Sequence, residues 1–326
     1  MNKANGDQGY FPLRAREKPR SNRLAFFVLK LNLLVLRHNR NDYLLDKFNF
    51  IHMKKLVLSL FLFSCLAGVK AQTIGLQLYS LREQFPKDVP GTLALIKSWG
   101  IHELEGGGTY GLSIDEFKQL CKKNGLKVVS VQGDFNDLDK DVDKVIKNAK
   151  AFGAKFVMCA WVPHNGDDFT FADTERAVNI FNVAGEKLAK AGLSLCYHAH
   201  GYEFRPYEKG LLFDYMMEKT NPKFVNFEMD VYWIKQSGQS PLAWLNKHPK
   251  RFLMLHLKDR APGTPDSNNG RADVETNVVL GKGDVGIADL MKAGRKAGVK
   301  HYFIEDESSR VVQQVPQSLA YLKSIK

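Results

Sequence analysis

The chain has 326 residues, 44% hydrophobic and 25% charged, a balance that argues against a disordered or fibrous protein. Its net charge of +12 suggests nucleic acid or a membrane surface, but residues 1–52 carry ten Lys/Arg against four Asp/Glu, and residues 53–71 add three Lys and no acid. From Gln72 onward 34 basic residues face 31 acidic ones, so the part able to fold is nearly balanced and no nucleic-acid partner is expected.

Residues 1–52 show no caps, no strand pattern and no motif, and read as an unstructured leader from a mis-assigned start. Met53-Lys54-Lys55, the apolar run from Leu56 to Leu62 and the small residues Val69 and Ala71 read as a secretory signal peptide over 53–71. The apolar run is well short of the roughly 20 residues that span a bilayer, so no transmembrane segment is expected. Export to the periplasm or outside the cell follows, with lipid anchoring through Cys65 as an alternative, because Leu62-Phe63-Ser64-Cys65 resembles a lipobox. Cys121, Cys159 and Cys196 remain, an odd number at wide spacing that forms neither a disulfide framework nor a zinc motif.

From Ile74, β-rich runs alternate with helical stretches. The expected strands are Ile74–Leu81, His102–Gly107, Lys127–Gly133, Lys155–Val162, Ser194–His200, Val225–Trp233, Phe252–Lys258 and His301–Glu305. Helix patterns such as Ser113–Asn124 and Asp141–Phe152 lie between them, and a glycine after the helix marks several C-termini, as at Gly153 and Gly298. Eight such units over residues 72–326 predict an α/β fold, a single (β/α)₈ TIM barrel. The open doubly wound sheet is the rival, but no Gly-x-Gly-x-x-Gly follows the first strand.

Chemistry in such a barrel sits at the C-terminal strand ends. The fifth run ends in His198-Ala199-His200-Gly201-Tyr202-Glu203, and the sixth holds Glu228 and Asp230. The seventh gives His256 and Lys258, and the eighth Glu305. Carboxylates and imidazoles at four successive strand ends would repel without a cation, so a divalent metal is expected. A set rich in carboxylate with His favours Mn²⁺, with Mg²⁺, Co²⁺ or Zn²⁺ as alternatives.

Several segments carry a family resemblance: Gly75-Leu76-Gln77-Leu78-Tyr79-Ser80-Leu81-Arg82, Tyr197-His198-x-His200-x-x-Glu203-Phe204, Asp230-x-x-Trp233, His256-Leu257-Lys258-Asp259 and Gly281-Lys282-Gly283-Asp284. Together they resemble the xylose isomerase-like TIM barrel superfamily, which includes sugar phosphate isomerase/epimerase-like proteins and the AP endonuclease family 2 type. The resemblance implies metal ligands at Glu203, Asp230, His256 and Glu305; some members carry the first Glu earlier in strand five, where this chain has His198. It also implies a metal that polarises a sugar carbonyl and stabilises an enediolate while Glu203 and Glu305 remove and return a proton.

His200 and Lys258 join Glu203 and Glu305 as catalytic candidates. His198, Trp161, Trp233 and Glu105 are the substrate-binding candidates, with Gln132 as a further strand-end residue. The expected function is a metal-dependent sugar isomerase/epimerase acting on a sugar or keto-sugar. A lyase or dehydratase acting on a keto-sugar or 3-keto-glycoside at the same site is the alternative, and a non-catalytic sugar-binding protein is the alternative of another class. A homo-oligomer is compatible with this reading. The loop Ala261–Gly283 is expected to form a lid, and Gly281-Lys282-Gly283 is the one candidate for an anion cradle. If the 53–71 signal is used, N-terminal sequencing of exported protein will begin at or near Gln72; recovery of residues 1–52 on the mature chain contradicts both the signal and the start-site reading.

Overall fold

Short runs of β-branched, aromatic and leucine residues become eight parallel strands in the computed structural model, which describes residues 72–325. The leader at 1–52 and the signal peptide at 53–71 lie outside the described residues. The strands are β1 Thr73–Gln77, β2 Glu103–Glu105, β3 Lys127–Gln132, β4 Phe156–Cys159, β5 Ser194–His198, β6 Val225–Asp230, β7 Phe252–Leu257 and β8 His301–Ile304. Each pairs in parallel with the next, and β8 closes on β1 through Thr73–Leu76 against His301–Ile304. The expected (β/α)₈ barrel is the observed architecture.

Helices follow the strands because local chemistry starts and stops them. Ser113 and Glu116 form a reciprocal capping box at Ile114–Lys123, and Thr170 and Asp173 do the same at Phe171–Lys190. Gly153 ends the helix Val142–Phe152 at φ 75°, a left-handed conformation that costs a side-chain-free residue little. Buried apolar faces of the helices pack on the outside of the barrel as one continuous core. Cys196, Met254 and Phe303 share side-chain parity with His198, His256 and Glu305 and form, with Val129, a separate buried cluster that floors the mouth. Among the described residues, no helix is long and apolar enough to cross a membrane.

Several expected strands run past the observed C-terminal ends, and two of these ends have a clear cause. β1 stops at Gln77, whose side-chain oxygen accepts the Tyr79 N–H at 3.1 Å and opens a 3₁₀ turn over Leu78–Leu81. β6 stops at Asp230, whose Oδ1 accepts the N–H groups of Tyr232 and Trp233 at 2.7 and 3.2 Å, so that Val231–Gln236 is helix. The stretch expected as a lid is strapped down. Asp259–Arg260 pairs antiparallel with Asn277–Val278. The buried Arg260 guanidinium bonds Asp284, Asp266 and Gln236 at 2.7 to 3.2 Å.

Gly75 sits where β1 meets β8 and β2. A Cβ there would lie 2.6 Å from Cδ1 of Phe303 and 2.8 Å from the Glu103 carbonyl, and the backbone oxygen has nowhere to go. Gly75→Ala is therefore expected to destabilise the barrel by about 1–3 kcal/mol, read as a lower urea midpoint; an unchanged midpoint means this contact relaxes freely.

Candidate active site

Side chains from four neighbouring strands converge at the barrel mouth. His198 ends β5, Glu228 and Asp230 lie on one face of β6, His256 is on β7, and Glu305 follows β8. One ligand atom each from His198, Asp230, His256 and Glu305 falls within 4.8 Å of the others, and all four residues are buried. His198 Nε2 is 3.7 Å from Asp230 Oδ2, and His256 Nδ1 is 4.0 Å from the same oxygen and 3.1 Å from Glu305 Oε2. Lys258 Nζ lies 3.7 Å from Glu305 Oε2 and bonds Glu307.

A second, deeper group shares His256. Its Nε2 bonds Glu105 and lies 3.3 Å from Glu228 Oε2, and these three also bring ligand-type atoms together. Glu105 Oε1 further accepts the Gln77 amide at 3.1 Å.

Glu203 does not join the mouth group. Its fully buried carboxyl group accepts the Tyr197 hydroxyl, and its two oxygens lie 3.2 and 3.1 Å from the His200 backbone N–H that they accept, which ties the loop after β5 back to its own strand. His198 stands where Glu203 was expected as the ligand from this segment. Glu105, expected to meet substrate, is completely buried beneath His256.

Electrostatics reflect burial of many charges in one place. Burial raises the Glu228 carboxyl well above its ordinary range, with the Glu105 charge adding to it. Burial also lifts Asp230 to about 7 against the pull of Lys258. For Glu305, burial opposes ionisation, but Lys258 and His256 outweigh it and hold the carboxyl well below its usual value. His256 is raised despite burial, because Glu228, Glu305 and Glu105 surround it. His198 is pushed well down by burial and neighbouring His200, and His200 falls to about 4 by burial, so both are neutral at pH 7.

Aromatic rings make one wall. His200 stacks on His198 at 4.5 Å between ring centroids and lies 5.9 Å from Trp161 and 5.3 Å from Trp233. Trp161 is 43% exposed, Trp233 is buried, and the Lys258 ammonium sits 5.4 Å above the Trp233 ring. The anion cradle expected at Gly281-Lys282-Gly283 is already filled from within: Asp259 accepts the N–H groups of Arg260, Gly281, Gly283 and Val285 at 2.8 to 3.2 Å. A Cβ on Gly283 would fall 2.2 Å from Asp259 Oδ1.

The mouth thus collects Asp230, His256, Glu305, Lys258, His198, His200, Trp161 and Trp233 of the expected residues, and leaves Glu203 and Glu105 behind them. The sequence places Glu228 beside Asp230 on the sixth strand without giving it a role, and it assigns none to Glu307. The shared parity of Glu228 and Asp230 was the available signal for the first. Glu307 lies on a loop, where periodicity carries no information about direction.

The family profile described as "Xylose isomerase-like TIM barrel" matches residues 93–325. A solved sugar phosphate isomerase/epimerase from Parabacteroides distasonis is 25% identical, with a TM-score of 0.66, over 78% of this chain and 100% of that one. The IOLI protein, solved with a bound zinc atom, is alike in fold, at 12% identity and a TM-score of 0.60 over 78% of this chain and 96% of its own. An inosose dehydratase from Geobacillus thermodenitrificans is 34% identical over 92 residues, 28% of this chain and 30% of that protein, so the chain spans under a third of that relative's length in the match.

Glu203 provides a pH signature. Burial lifts its carboxyl to about 7 from an ordinary 4.5. Between those values the folded chain keeps a proton that the unfolded chain has lost, so stability falls as pH rises from about 4.5 to 7 and levels off above. Glu203→Gln removes this contribution and is expected to flatten the slope by up to about 1.4 kcal/mol per pH unit, measured by urea unfolding across pH 5–7. An unaltered slope means Glu203 is ionised in the fold.

Proposed function

Because the chain belongs to the xylose isomerase-like TIM barrel family, we propose that it is a divalent-metal-dependent enzyme that moves a proton next to the carbonyl of a sugar or keto-sugar. The observation that carries this reading is the buried group His198, Asp230, His256 and Glu305, whose ligand atoms all lie within 4.8 Å of one another. Both nitrogens of His198 and Oδ2 of Asp230 have no hydrogen-bond partner, although buried polar atoms are nearly always paired. Two imidazoles and two carboxylates fit a cation of borderline character, Mn²⁺, Co²⁺ or Zn²⁺. A metal held there would supply Lewis acidity to a carbonyl oxygen and offset negative charge developing beside it.

The chain's own groups divide the remaining work. Lys258, held cationic by Glu305, Glu307 and Asp230, adds positive charge at the mouth. His200 is neutral, half-buried and leaves Nδ1 without a partner, which suits it to accept a proton or bind a hydroxyl. Glu305 is the second proton-handling group. Glu203 holds the His200 backbone from behind. Trp161 and Trp233 present apolar faces of the kind that pack against a sugar ring.

A neutral substrate is part of this reading. The backbone cradle read from Gly281-Lys282-Gly283 is occupied by Asp259, and if the 53–71 signal is used the enzyme would meet few phosphorylated metabolites. Isomerisation or epimerisation is the primary reaction. Elimination of water from the same carbanion-like state is the second reading, favoured by the 92-residue likeness to inosose dehydratase.

Asp230→Ala and His256→Ala are expected to lose bound metal in elemental analysis; unchanged metal in both folded variants means the site is misplaced. Metal-loaded protein is expected to exchange solvent deuterium into aldoses, ketoses or 3-keto-glycosides, with an unsaturated product appearing only if elimination is the reaction. Exchange confined to phosphorylated sugars refutes the neutral-substrate reading. Sugar binding without exchange supports a binding protein instead.

A further inference from the structure

Glu105 lies on the first half of the barrel, far in sequence from the mouth residues, yet its carboxylate meets the buried ring of His256. A two-step hydrogen-bond relay fixes it there. The Tyr79 N–H donates to Gln77 Oε1 at 3.1 Å, which turns the Gln77 amide nitrogen toward Glu105, and that nitrogen donates to Glu105 Oε1 at 3.1 Å. Glu105 and Gln77 are both buried. The next residue, Gly106, has φ +132°, and a Cβ on it would lie 3.1 Å from Leu78 Cβ and 3.4 Å from Gln77 Oε1, so the backbone turns closely against the relay.

We infer that Glu105 is a positioning residue: by accepting a hydrogen bond from Nε2–H of His256, it leaves the Nδ1 lone pair facing Asp230 and Glu305. Nδ1 also lies within hydrogen-bond reach of Glu305, so without a cation the ring can carry a proton on each nitrogen; with a cation at the mouth it would be neutral, with one N–H and one lone pair. With Nε2 committed to Glu105, the ring can serve only the mouth group through Nδ1, 4.0 Å from Asp230 Oδ2 and 3.1 Å from Glu305 Oε2. The deeper group of Glu105, Glu228 and His256 then orients the ligand and takes no cation of its own. Carboxylates behind metal-bound imidazoles fix the tautomer and raise ligand basicity, and their loss weakens metal binding by about 10–100-fold.

The inference rests on the proposed metal reading, and the test separates the two. Wild type, Glu105→Ala and Glu105→Gln are titrated with Co²⁺ and Zn²⁺ alone, with circular dichroism as the folding control. Nitrogen NMR of imidazole-labelled histidine is recorded on the Zn²⁺-loaded wild type. One metal per chain is expected, bound through Nδ1 of His256 with the proton on Nε2. Glu105→Ala is expected to weaken both metals by about 10–100-fold. Glu105→Gln keeps an acceptor oxygen and should recover most of that loss. If Glu105→Ala does not fold, the NMR assignment and Glu105→Gln decide. Metal on Nε2, two metals per chain, or unchanged affinity in folded Glu105→Ala overturns the positioning role. Failure of the wild type to bind either metal overturns the metal reading itself, a result distinct from a loss confined to the Glu105 variants.

Discussion

His256 is the hinge of the site's electrostatics. Its ring lies between Glu105 and Glu228 on one side and Asp230 and Glu305 on the other, all of them buried. Four carboxylates in so small and dry a volume cannot all ionise without compensating charge. The structure resolves this unevenly. Glu305 stays ionised beside Lys258 and His256, whereas Glu228 and Asp230 are driven toward their protonated forms. A divalent cation among the mouth ligands would remove the reason for that shift at Asp230, because two positive charges replace the proton.

Barrel geometry makes this crowding possible. Parallel pairing aligns His198 with Glu228 and Asp230 with His256, and parity sends the ligand-type residues inward while their neighbours face the helices. Below them Cys196, Met254 and Phe303 close the interior, so charge gathered at the mouth faces an apolar floor.

The loops behind the mouth are tied rather than loose. Glu203 anchors the turn after β5 through Tyr197 and His200, and Asp259 gathers four backbone N–H groups around itself. Both use a buried carboxyl group as an internal acceptor for orphan donors, which rigidifies the frame carrying His200 and Lys258. Arg260, bonded to Asp284 and Asp266, extends the same bracing across the long loop.

Alternation of β-rich and helical segments was enough to read eight strand–helix units and the barrel, because hydrophobic period and glycine caps are local signals. Strand-end placement then exposed Asp230, His256, Glu305 and Lys258, since the sequence itself puts them at those ends. The identity of the fifth strand's contribution was decided by tertiary structure. His198 and Glu203 are five residues apart, and only the folded turn shows Glu203 bonding its own loop while His198 faces Asp230. Glu105 is the same lesson across 151 residues: its partner His256 comes from the far side of the barrel, a contact set by closure of the sheet, which no periodicity in the chain encodes.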